Sequence, residues 1–260
     1  MRGLVNLGNT CYFNTAIQCL AHVPALSKHL FQADLKDVTC PITKEYQRVV
    51  QQLFLKDHAA PVDPSQLLHE FRSKFPRFAQ GQQDAQEVIL VMIDVFESAL
   101  GKELVQEIFN GEDSQVTVYP GGRSTSKSPF TTLIFNVTEP CSLQDLIKER
   151  EEPVGIAGYT DDSGKTHNVA AIQVQVDRWP RVFGFTFSMY DHKFPIEIPL
   201  QFNGRHLFAC VIHQGVQHGG HYALLVKRFD KWYMKDDESV SEITTPESFR
   251  APWYQAWYRS

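Results

Sequence analysis

The apolar residues of this chain change their spacing once, from a helical period to strand alternation. Within residues 1–100 apolar positions recur every three or four residues, most clearly in QQDAQEVILVMIDVFESAL at 82–100. From Asn168 onward short runs with strand character dominate, among them VAAIQVQV, RVFGFTFSMY and HYALLVKRF. Helices followed by strands predict an α+β fold in which a helical lobe packs on an antiparallel sheet.

Local signals refine this pattern. Helical spacing also covers residues 11–22 and 43–56, and Asp63-Pro64 resembles an N-cap followed by proline at the first helical position. Between 101 and 168, GEDSQ, PGGRSTSKSP and TDDSGKTHN are turn signals between short extended runs. Within that region SLQDLIKERE (142–151) predicts a short helix capped by Ser142.

Composition excludes several classes of protein. The 260 residues are 43% hydrophobic, enough to bury the core of one large domain, which we place at 1–260. A net charge of −5 argues against a nucleic-acid-binding protein, which would cluster Lys and Arg. No apolar run approaches the roughly 18 residues of a membrane span, and the N-terminus has no apolar signal core. We therefore expect an intracellular protein, cytoplasmic or nuclear, that binds no nucleic acid or membrane.

The cysteines do not form a recognisable framework. Their odd number and irregular spacing argue against disulfides, and the absence of a CxxC pair argues against a thiolate zinc site. We therefore expect no cofactor and no bound metal. The five are Cys11, Cys19, Cys40, Cys141 and Cys210.

Cys11 stands between a loop rich in Gly and Asn and the first predicted helix, in GLVNLGNTCYFNTAIQCL at 3–20. At a helix N-terminus the dipole and unpaired N–H groups favour thiolate, which is the nucleophilic form. The preceding Gly8 and Asn9 allow a tight turn whose N–H groups could face a reacting oxygen, and Asn6 could add an amide donor. The competing interpretation is a small buried hydrophobic residue, as most cysteines are.

A second segment adds an imidazole and two acids. His221 follows a glycine pair in HQGVQHGGHYALLV at 213–226, and Asp236 and Asp237 end the next strand pattern. If a turn near Phe229-Asp230 joins two antiparallel strands, one of these carboxylates lies beside His221 and can orient its ring. Taken singly, His221 also fits a loop histidine packed by glycines, and the two aspartates fit a solvated turn. Together with Cys11 they favour a cysteine hydrolase.

One alternative uses the same histidines as metal ligands. His213, His218 and His221 would bind the ion, with Asp236 as the fourth ligand. Glycine-rich turns hold ligands poorly without supporting hydrogen bonds, and this interpretation leaves the Cys11 segment without a role.

These segments resemble a known family. GLVNLGNTCYFNTAIQCL is similar to the cysteine box of the ubiquitin-specific proteases, and HGGHYALLV with KWYMKDDESVSE is similar to their histidine box. GQQDAQEVIL at 81–90 resembles a third family segment between them. The resemblance implies a papain-like cysteine protease fold with a helical thumb (1–100), fingers (101–168 and part of the following strands) and a β-rich palm (169–260).

The resemblance also implies roles for individual residues. Cys11 would be the nucleophile, His221 the general base and Asp236 the acid that orients it, with Asp237 as a supporting acid and Asn6 as oxyanion donor. The reaction would be hydrolysis of the isopeptide bond after the C-terminal glycine of ubiquitin, and the partners would be ubiquitin and ubiquitinated proteins. Residues expected to contact the ubiquitin tail are Gln82, Asp84 and Glu87 on the long helix, and Gly219, Gly220 and Tyr222.

The chain departs from the family pattern at two places. The two CxxC pairs that often hold zinc in the fingers are missing, since residues 111–168 contain only Cys141, so we expect shortened, zinc-free fingers. Phe187 and Ser188 replace the Arg and Phe usual in one strand, and the following loop DHKFP is short. These changes leave open a protease for another modifier ending in Gly-Gly. A weakly active ubiquitin-binding scaffold is a second alternative, since some family members lack triad residues, although this chain retains them. We expect a monomer, either a fragment of a longer protein or a compact enzyme.

Overall fold

The computed structural model describes residues 1–55, 60–189, 192–216, 219–244 and 249–260. Helices dominate the first part of the chain, as the hydrophobic period predicts. A single turn of 3₁₀ helix (Pro76–Phe78) stands between the fourth and fifth α-helices. The helices are α1 (Cys11–Ala21), α2 (Pro24–Gln32), α3 (Pro41–Leu53), α4 (Ser65–Lys74), α5 (Ala85–Leu100), α6 (Lys102–Phe109) and α7 (Leu143–Glu151).

Strands make up most of the rest. The predicted short helix is present as α7, and Ser142 caps it through a reciprocal capping box with Asp145, which confirms that prediction. The strands are β1 (Gly111–Tyr119), β2 (Gly122–Phe130), β3 (Thr132–Asn136), β4 (Cys141–Ser142), β5 (Val154–Ile156), β6 (Tyr159–Thr160), β7 (Thr166–His167), β8 (Ala170–Arg178), β9 (Val182–Ser188), β10 (Ile196–Glu197), β11 (Gln201–Phe202), β12 (Arg205–Val216), β13 (Gly219–Arg228), β14 (Lys231–Asp236), β15 (Ser239–Ile243), β16 (Arg250–Ala251) and β17 (Trp253–Arg259).

The helical region extends beyond residue 100, where the sequence predicted a change to turns and short strands. Gly101, with φ of 103°, redirects the chain from α5 into α6. α6 forms because Val105, Ile108 and Phe109 share one face and are buried. The strands that follow are also longer than expected, since β1 and β2 form a hairpin of nine residues on each side.

A large sheet forms the centre of the fold, with strand order β15-β14-β13-β12-β17-β9-β3 and β11 paired to β12. Its strands are antiparallel except for the β3–β9 pair, which is parallel. A second sheet, β2-β1-β8-β5, is formed by residues 111–178.

The large sheet is buried on both faces. Val211 on β12 and Tyr222 on β13 belong to the core formed with the helical layer. Cys210 and Leu225, on the same two strands, belong to a second core on the opposite face. α1 packs against β13 on one side and against α5 on the other. Because α1 lies between the sheet and the other helices, all eleven of its residues are buried, including polar ones. The N-terminus of α1 is therefore held against the start of β13.

Candidate active site

Cys11 is the first residue of α1 and is 3% exposed. The preceding loop turns through Gly8 (φ 91°) and Asn9 (φ 51°). The side chain of Asn6 holds this loop, because its Oδ1 accepts hydrogen bonds from the N–H of Gly8 at 2.9 Å and the hydroxyl of Thr10 at 3.2 Å. The thiol is thus fixed by a tight turn on one side and a buried helix on the other.

The sulfur of Cys11 lies between the two lobes. It accepts a hydrogen bond from the backbone N–H of Tyr222 on β13 at 3.5 Å, and from Nε2 of Gln82 at 3.7 Å. Burial raises the pKa of the Cys11 thiol above its ordinary value, and the Tyr222 N–H lowers it in part, whereas the charge of Asp237 raises it further. The backbone N–H groups at the start of α1 lower the pKa of the thiol, as the sequence predicts, but burial outweighs them and the net shift is upward.

His221 and Asp236 form a close pair. Nε2 of His221 lies 2.5 Å from Oδ1 of Asp236. The pair exists because β13 and β14 form an antiparallel hairpin, with Phe229 at φ 54° in its turn and Leu224 opposite Lys235. The hairpin predicted from the sequence therefore places the acid beside the histidine. Since Asp236 occupies Nε2, Nδ1 is the nitrogen left to exchange a proton.

Asp237 has different partners from Asp236. Its carboxylate accepts hydrogen bonds from the side-chain amides of Asn6 at 2.6 Å and Asn14 at 2.8 Å, and its backbone oxygen accepts one from the N–H of Leu4 at 2.8 Å. Asp237 itself adopts φ of 48°, so the strand ends sharply after Asp236. The two consecutive acids thus address opposite sides of the site: one holds the imidazole and the other holds the loop before Cys11.

Sequence reasoning missed Asn14. It is 1% exposed, lies three residues after Cys11 and so shares a face of α1 with it. A polar amide three residues after the candidate nucleophile, on a helix with an apolar period, is a signal that could have identified it, because buried polar groups are held by partners.

Gln82 and Asp84 lie before α5, which corrects the expectation that both sit on the helix. The side chain of Gln82 crosses between the lobes, since its Oε1 accepts the N–H of Gly220 at 2.6 Å. Asp84 is the N-cap of α5: its Oδ1 accepts the N–H of Gln86 at 2.7 Å and also the hydroxyl of Tyr254 at 2.5 Å. These contacts explain why α5 begins at Ala85.

Glu87 is the one member of this predicted set within α5. It forms an ion pair with Arg77 at 2.9 Å, and both side chains are largely exposed. Such a pair contributes little stability, so the carboxylate is available to an incoming basic group.

The predicted channel residues Gly219, Gly220 and Tyr222 open β13. A Cβ on Gly220 would lie 2.3 Å from the backbone oxygen of Gln214 on β12, so the strand pairing itself requires glycine there. Tyr222 is 5% exposed, and its ring stacks on His213 with centroids 4.3 Å apart. Its backbone N–H therefore reaches the thiol while its side chain packs on His213.

The alternative metal site is not assembled as proposed. His213 pairs with Tyr222 and Gln214 pairs with His221, so His213 and His221 face opposite sides of the sheet. His218 lies outside the described residues. The described part of the chain does contain one cluster of potential metal ligands, formed by His221, Asp236 and Asp237. Their candidate ligand atoms lie within 4.8 Å of one another. The hydrogen bonds described above already account for these three side chains.

Phe187 and Ser188, which depart from the family pattern, lie near the active site. Phe187 belongs to the core on the face of the large sheet that is turned away from the helices. Phe187 is 1% exposed within β9, and Ser188 ends that strand. Phe187 and Ser188 line a cavity of about 300 Å³ together with Asp84, Lys193 and Tyr222. The loop DHKFP is described from His192 onward, because Asp191 lies outside the described residues.

Comparison with known proteins shows which family the chain belongs to. Residues 2–256 match the ubiquitin carboxyl-terminal hydrolase family. Ubiquitin carboxyl-terminal hydrolase 22 of Bos taurus is 23% identical over 99% of this chain and 67% of its own length, and ubiquitin carboxyl-terminal hydrolase 27 of Homo sapiens is 24% identical over 99% of this chain and 78% of its own. The human hydrolase 22 is covered over 65% of its length, so the chain spans about two-thirds of several relatives.

The fold also matches that of solved structures. A chain of the SAGA Ubp8/Sgf11/Sus1/Sgf73 DUB module bound to ubiquitin aldehyde superposes with a TM-score of 0.86 at 19% identity, covering 100% of this chain and 69% of that chain. The predicted α+β papain-like fold is confirmed by this match. Within the described ranges, no helix is both long and apolar enough to cross a bilayer.

Proposed function

Because the chain belongs to the ubiquitin carboxyl-terminal hydrolase family, we propose that it hydrolyses the isopeptide bond after the C-terminal glycine of ubiquitin, using Cys11 as the nucleophile. One observation carries the proposal. The N–H of Tyr222 reaches the Cys11 sulfur, and the preceding residue, His221, is paired with Asp236 at 2.5 Å. A buried thiol held by the N–H of the residue that follows an acid-oriented imidazole suits thiol hydrolysis.

The first step begins from the neutral thiol, because burial raises the pKa of Cys11. His221 accepts the thiol proton at Nδ1 while Asp236 stabilises the imidazolium through Nε2. The sulfur then attacks the carbonyl carbon of the terminal glycine, and the carbonyl π electrons move to oxygen.

The oxyanion forms next to Cys11, where three donors are near. These are the backbone N–H of Cys11, the amide of Asn6 and the amide of Gln82. One N–H of the Asn6 amide is used by Asp237, so the second is free for the oxyanion. Gln82 already directs its Nε2 toward the sulfur at 3.7 Å.

Collapse of the tetrahedral intermediate breaks the C–N bond, and the imidazolium of His221 protonates the leaving lysine amine. Water, deprotonated by His221, then attacks the thioester and releases the carboxylate of ubiquitin and the thiol. Each step moves protons and electron pairs among groups of this chain and water, so the mechanism calls for no cofactor.

The acidic residues on the helical side suit a basic substrate tail. Asp84 and Glu87 lie on the same side of the channel as Gln82, opposite Gly219 and Gly220. Carboxylates bind arginine side chains in charge-assisted hydrogen bonds, and glycines allow another backbone to approach closely. We infer that these residues bind the C-terminal tail of ubiquitin.

The proposal also covers the subdomains of the protein and its location in the cell. The helical layer corresponds to the thumb, the large sheet to the palm and the β2-β1-β8-β5 sheet to fingers without zinc. Five free cysteines support a reducing compartment, and we propose the cytoplasm or nucleus.

The decisive experiment measures intact mass after mixing the protein with ubiquitin that carries a thiol-reactive group at its C-terminus. We expect a ubiquitin-sized increase that disappears in Cys11→Ala, and the Cys19→Ala variant serves as a matched control that keeps the adduct. Parallel probes made from other modifiers ending in Gly-Gly test the alternative substrate. Ubiquitin binding by Cys11→Ala without any adduct by the unmodified protein would overturn the enzyme in favour of a binding scaffold.

A further inference from the structure

A groove on the helical lobe, remote from Cys11, combines positive charge with exposed aromatic rings. It has a volume of about 380 Å³. It lies where α1, β13 and β17 end and α2 begins. Its lining residues that carry the argument are His22, Lys28, Phe31, Arg228, Phe229 and Arg259, and we call this set the basic groove.

The basic groove is separate from the catalytic centre. Arg228 ends β13 and His221 lies near its start, seven residues away, which corresponds to about 23 Å along a strand. Cys11 and Ala21 stand at opposite ends of α1, about 15 Å apart. A molecule bound in the basic groove would therefore not touch the reacting atoms.

The charge of the basic groove has no acidic counterpart in the described structure. Lys28, Lys227, Arg228 and Arg259 all line it, and none of its lining residues is Asp or Glu. None of the four cations forms an ion pair with a carboxylate among the residues that the structure describes. On a protein with a net charge of −5, this is a local reversal of sign that attracts acidic groups.

The rim is apolar and solvent-exposed. Phe229 is 85% exposed at the tip of the β13–β14 hairpin, and Phe31 is 51% exposed on α2. The guanidinium of Arg228 lies over the rings of both Phe54 and Phe229, at 5.2 and 5.6 Å from their centroids. Aromatic and arginine side chains in this combination are the residues enriched at protein interfaces.

His22 supplies an unsatisfied polar atom to the basic groove. Its Nδ1 lies 2.7 Å from the backbone oxygen of Gln18, and its Nε2 is buried with no hydrogen-bond partner in the described residues. Burial holds the pKa of His22 well below its ordinary value, so the ring is neutral. Nδ1 therefore donates to Gln18 and Nε2 remains an acceptor, which suits an N–H or O–H donor on a ligand.

We propose that the basic groove is a docking site for an acidic segment of a partner protein, one in which Asp or Glu residues flank a large apolar side chain. The carboxylates would face Lys28 and Arg228, the apolar side chain would pack between Phe31 and Phe229, and a donor of the segment would satisfy His22. The concave shape and the buried acceptor favour a peptide segment over a flat anionic membrane.

The test is a selection of random peptides displayed on phage, using the intact protein as bait. Peptides are counter-selected on the Lys28→Glu/Arg228→Glu variant. We expect the enriched peptides to contain acidic residues around a large apolar one, to bind the double variant about tenfold or more weakly, and to lose affinity as salt rises. Lys148→Glu on α7 is the matched control, since it reverses one exposed charge on the other side of the sheet.

Four results would overturn the proposal. They are enrichment of peptides without acidic residues, equal binding by the double variant, binding of phosphatidylserine vesicles that the double variant loses, and a dimer in light scattering that the double variant abolishes. The vesicle result would assign the groove to a membrane, and the dimer result to a second copy of this chain. The Phe229→Ser variant controls for misfolding of the double variant. The exposed ring of Phe229 contributes little to the core, and its loss should still weaken peptide binding.

Discussion

The side chain of Gln82 accepts the backbone N–H of Gly220 at 2.6 Å and so connects the helical lobe to the sheet directly above the thiol. The same amide directs its nitrogen to the Cys11 sulfur at 3.7 Å. One side chain thus spans the cleft that a substrate tail must enter. In the proposed mechanism a bound tail competes for the contact between Gly220 and Oε1 of Gln82, while Nε2 of Gln82 turns from the sulfur to the oxyanion.

Replacing Gln82 separates these two roles. Loss of one oxyanion donor costs about 10²-fold or more in turnover, so we expect Gln82→Ala to lower kcat/KM for a fluorogenic ubiquitin substrate by about that factor. Gln82→Glu keeps the acceptor for Gly220 but loses the donor, and should be equally impaired. If Gln82→Glu retained activity while Gln82→Ala lost it, the connection to Gly220 would be the important role.

Replacing Asp237 should change the pKa of the Cys11 thiol. Burial raises the pKa of the Cys11 thiol above its ordinary value and the charge of Asp237 adds to that increase, so removing the charge should lower the pKa in part. We expect Asp237→Asn to shift the pH profile of iodoacetamide alkylation at Cys11, followed by peptide mass spectrometry, to lower pH. Turnover should nevertheless fall, because Asn6 and Asn14 lose the carboxylate that holds them. An unshifted alkylation profile would contradict this assignment.

Asp84 combines a structural role with a proposed binding role, and two substitutions distinguish them. Asp84→Ala removes the cap of α5 and should cost about 1 kcal/mol of unfolding free energy. Asp84→Asn retains a good capping side chain but no charge. We expect both variants to raise KM about tenfold, equivalent to about 1.4 kcal/mol, while only Asp84→Ala lowers Tm. A normal KM in Asp84→Asn would remove the carboxylate from the tail-binding site.

Lys235 should make stability depend on pH. It is 2% exposed and donates to the backbone oxygen of Arg2 at 2.9 Å and to Oε1 of Gln18 at 2.5 Å. Burial lowers its pKa from 10.5 to about 7. Between these values the unfolded chain binds the proton and the folded chain does not, so the free energy of unfolding rises with pH in that window.

The measurement compares the protein with Lys235→Met by urea denaturation at several pH values between about 7 and 9. The stability of the unsubstituted protein relative to the variant should increase with pH, by at most about 1.4 kcal/mol per pH unit. A parallel dependence in both proteins would mean that Lys235 stays protonated in the fold.

The sequence was informative where local patterns decide the structure. The start of α1 at Cys11 follows from helical spacing after a Gly- and Asn-rich loop, and the hairpin that pairs His221 with Asp236 follows from turn and strand signals close to those residues. Contacts between distant segments were not accessible in this way. The clamp of Asp237 by Asn6 joins residues 231 positions apart, and the crossing from Gln82 to Gly220 joins residues 138 apart.

The net shift in the pKa of the Cys11 thiol was not accessible from the sequence for a related reason. Helix position is a local property and favours a thiolate at Cys11, but burial is set by the packing of α1 between the sheet and α5. The desolvation that raises the pKa of the thiol therefore appears only once the fold is assembled.

The place of β17 in the sheet also sets the order of events during synthesis. β17 is the last strand of the chain, yet it lies inside the sheet between β12 and β9. During synthesis the N-terminal helices and Cys11 emerge before β17, so the sheet that supports His221 stays split into two parts until β17 has emerged. A nascent chain thus carries Cys11 before the sheet that positions His221 is assembled, and the proposed hydrolytic site can form only after β17 has emerged.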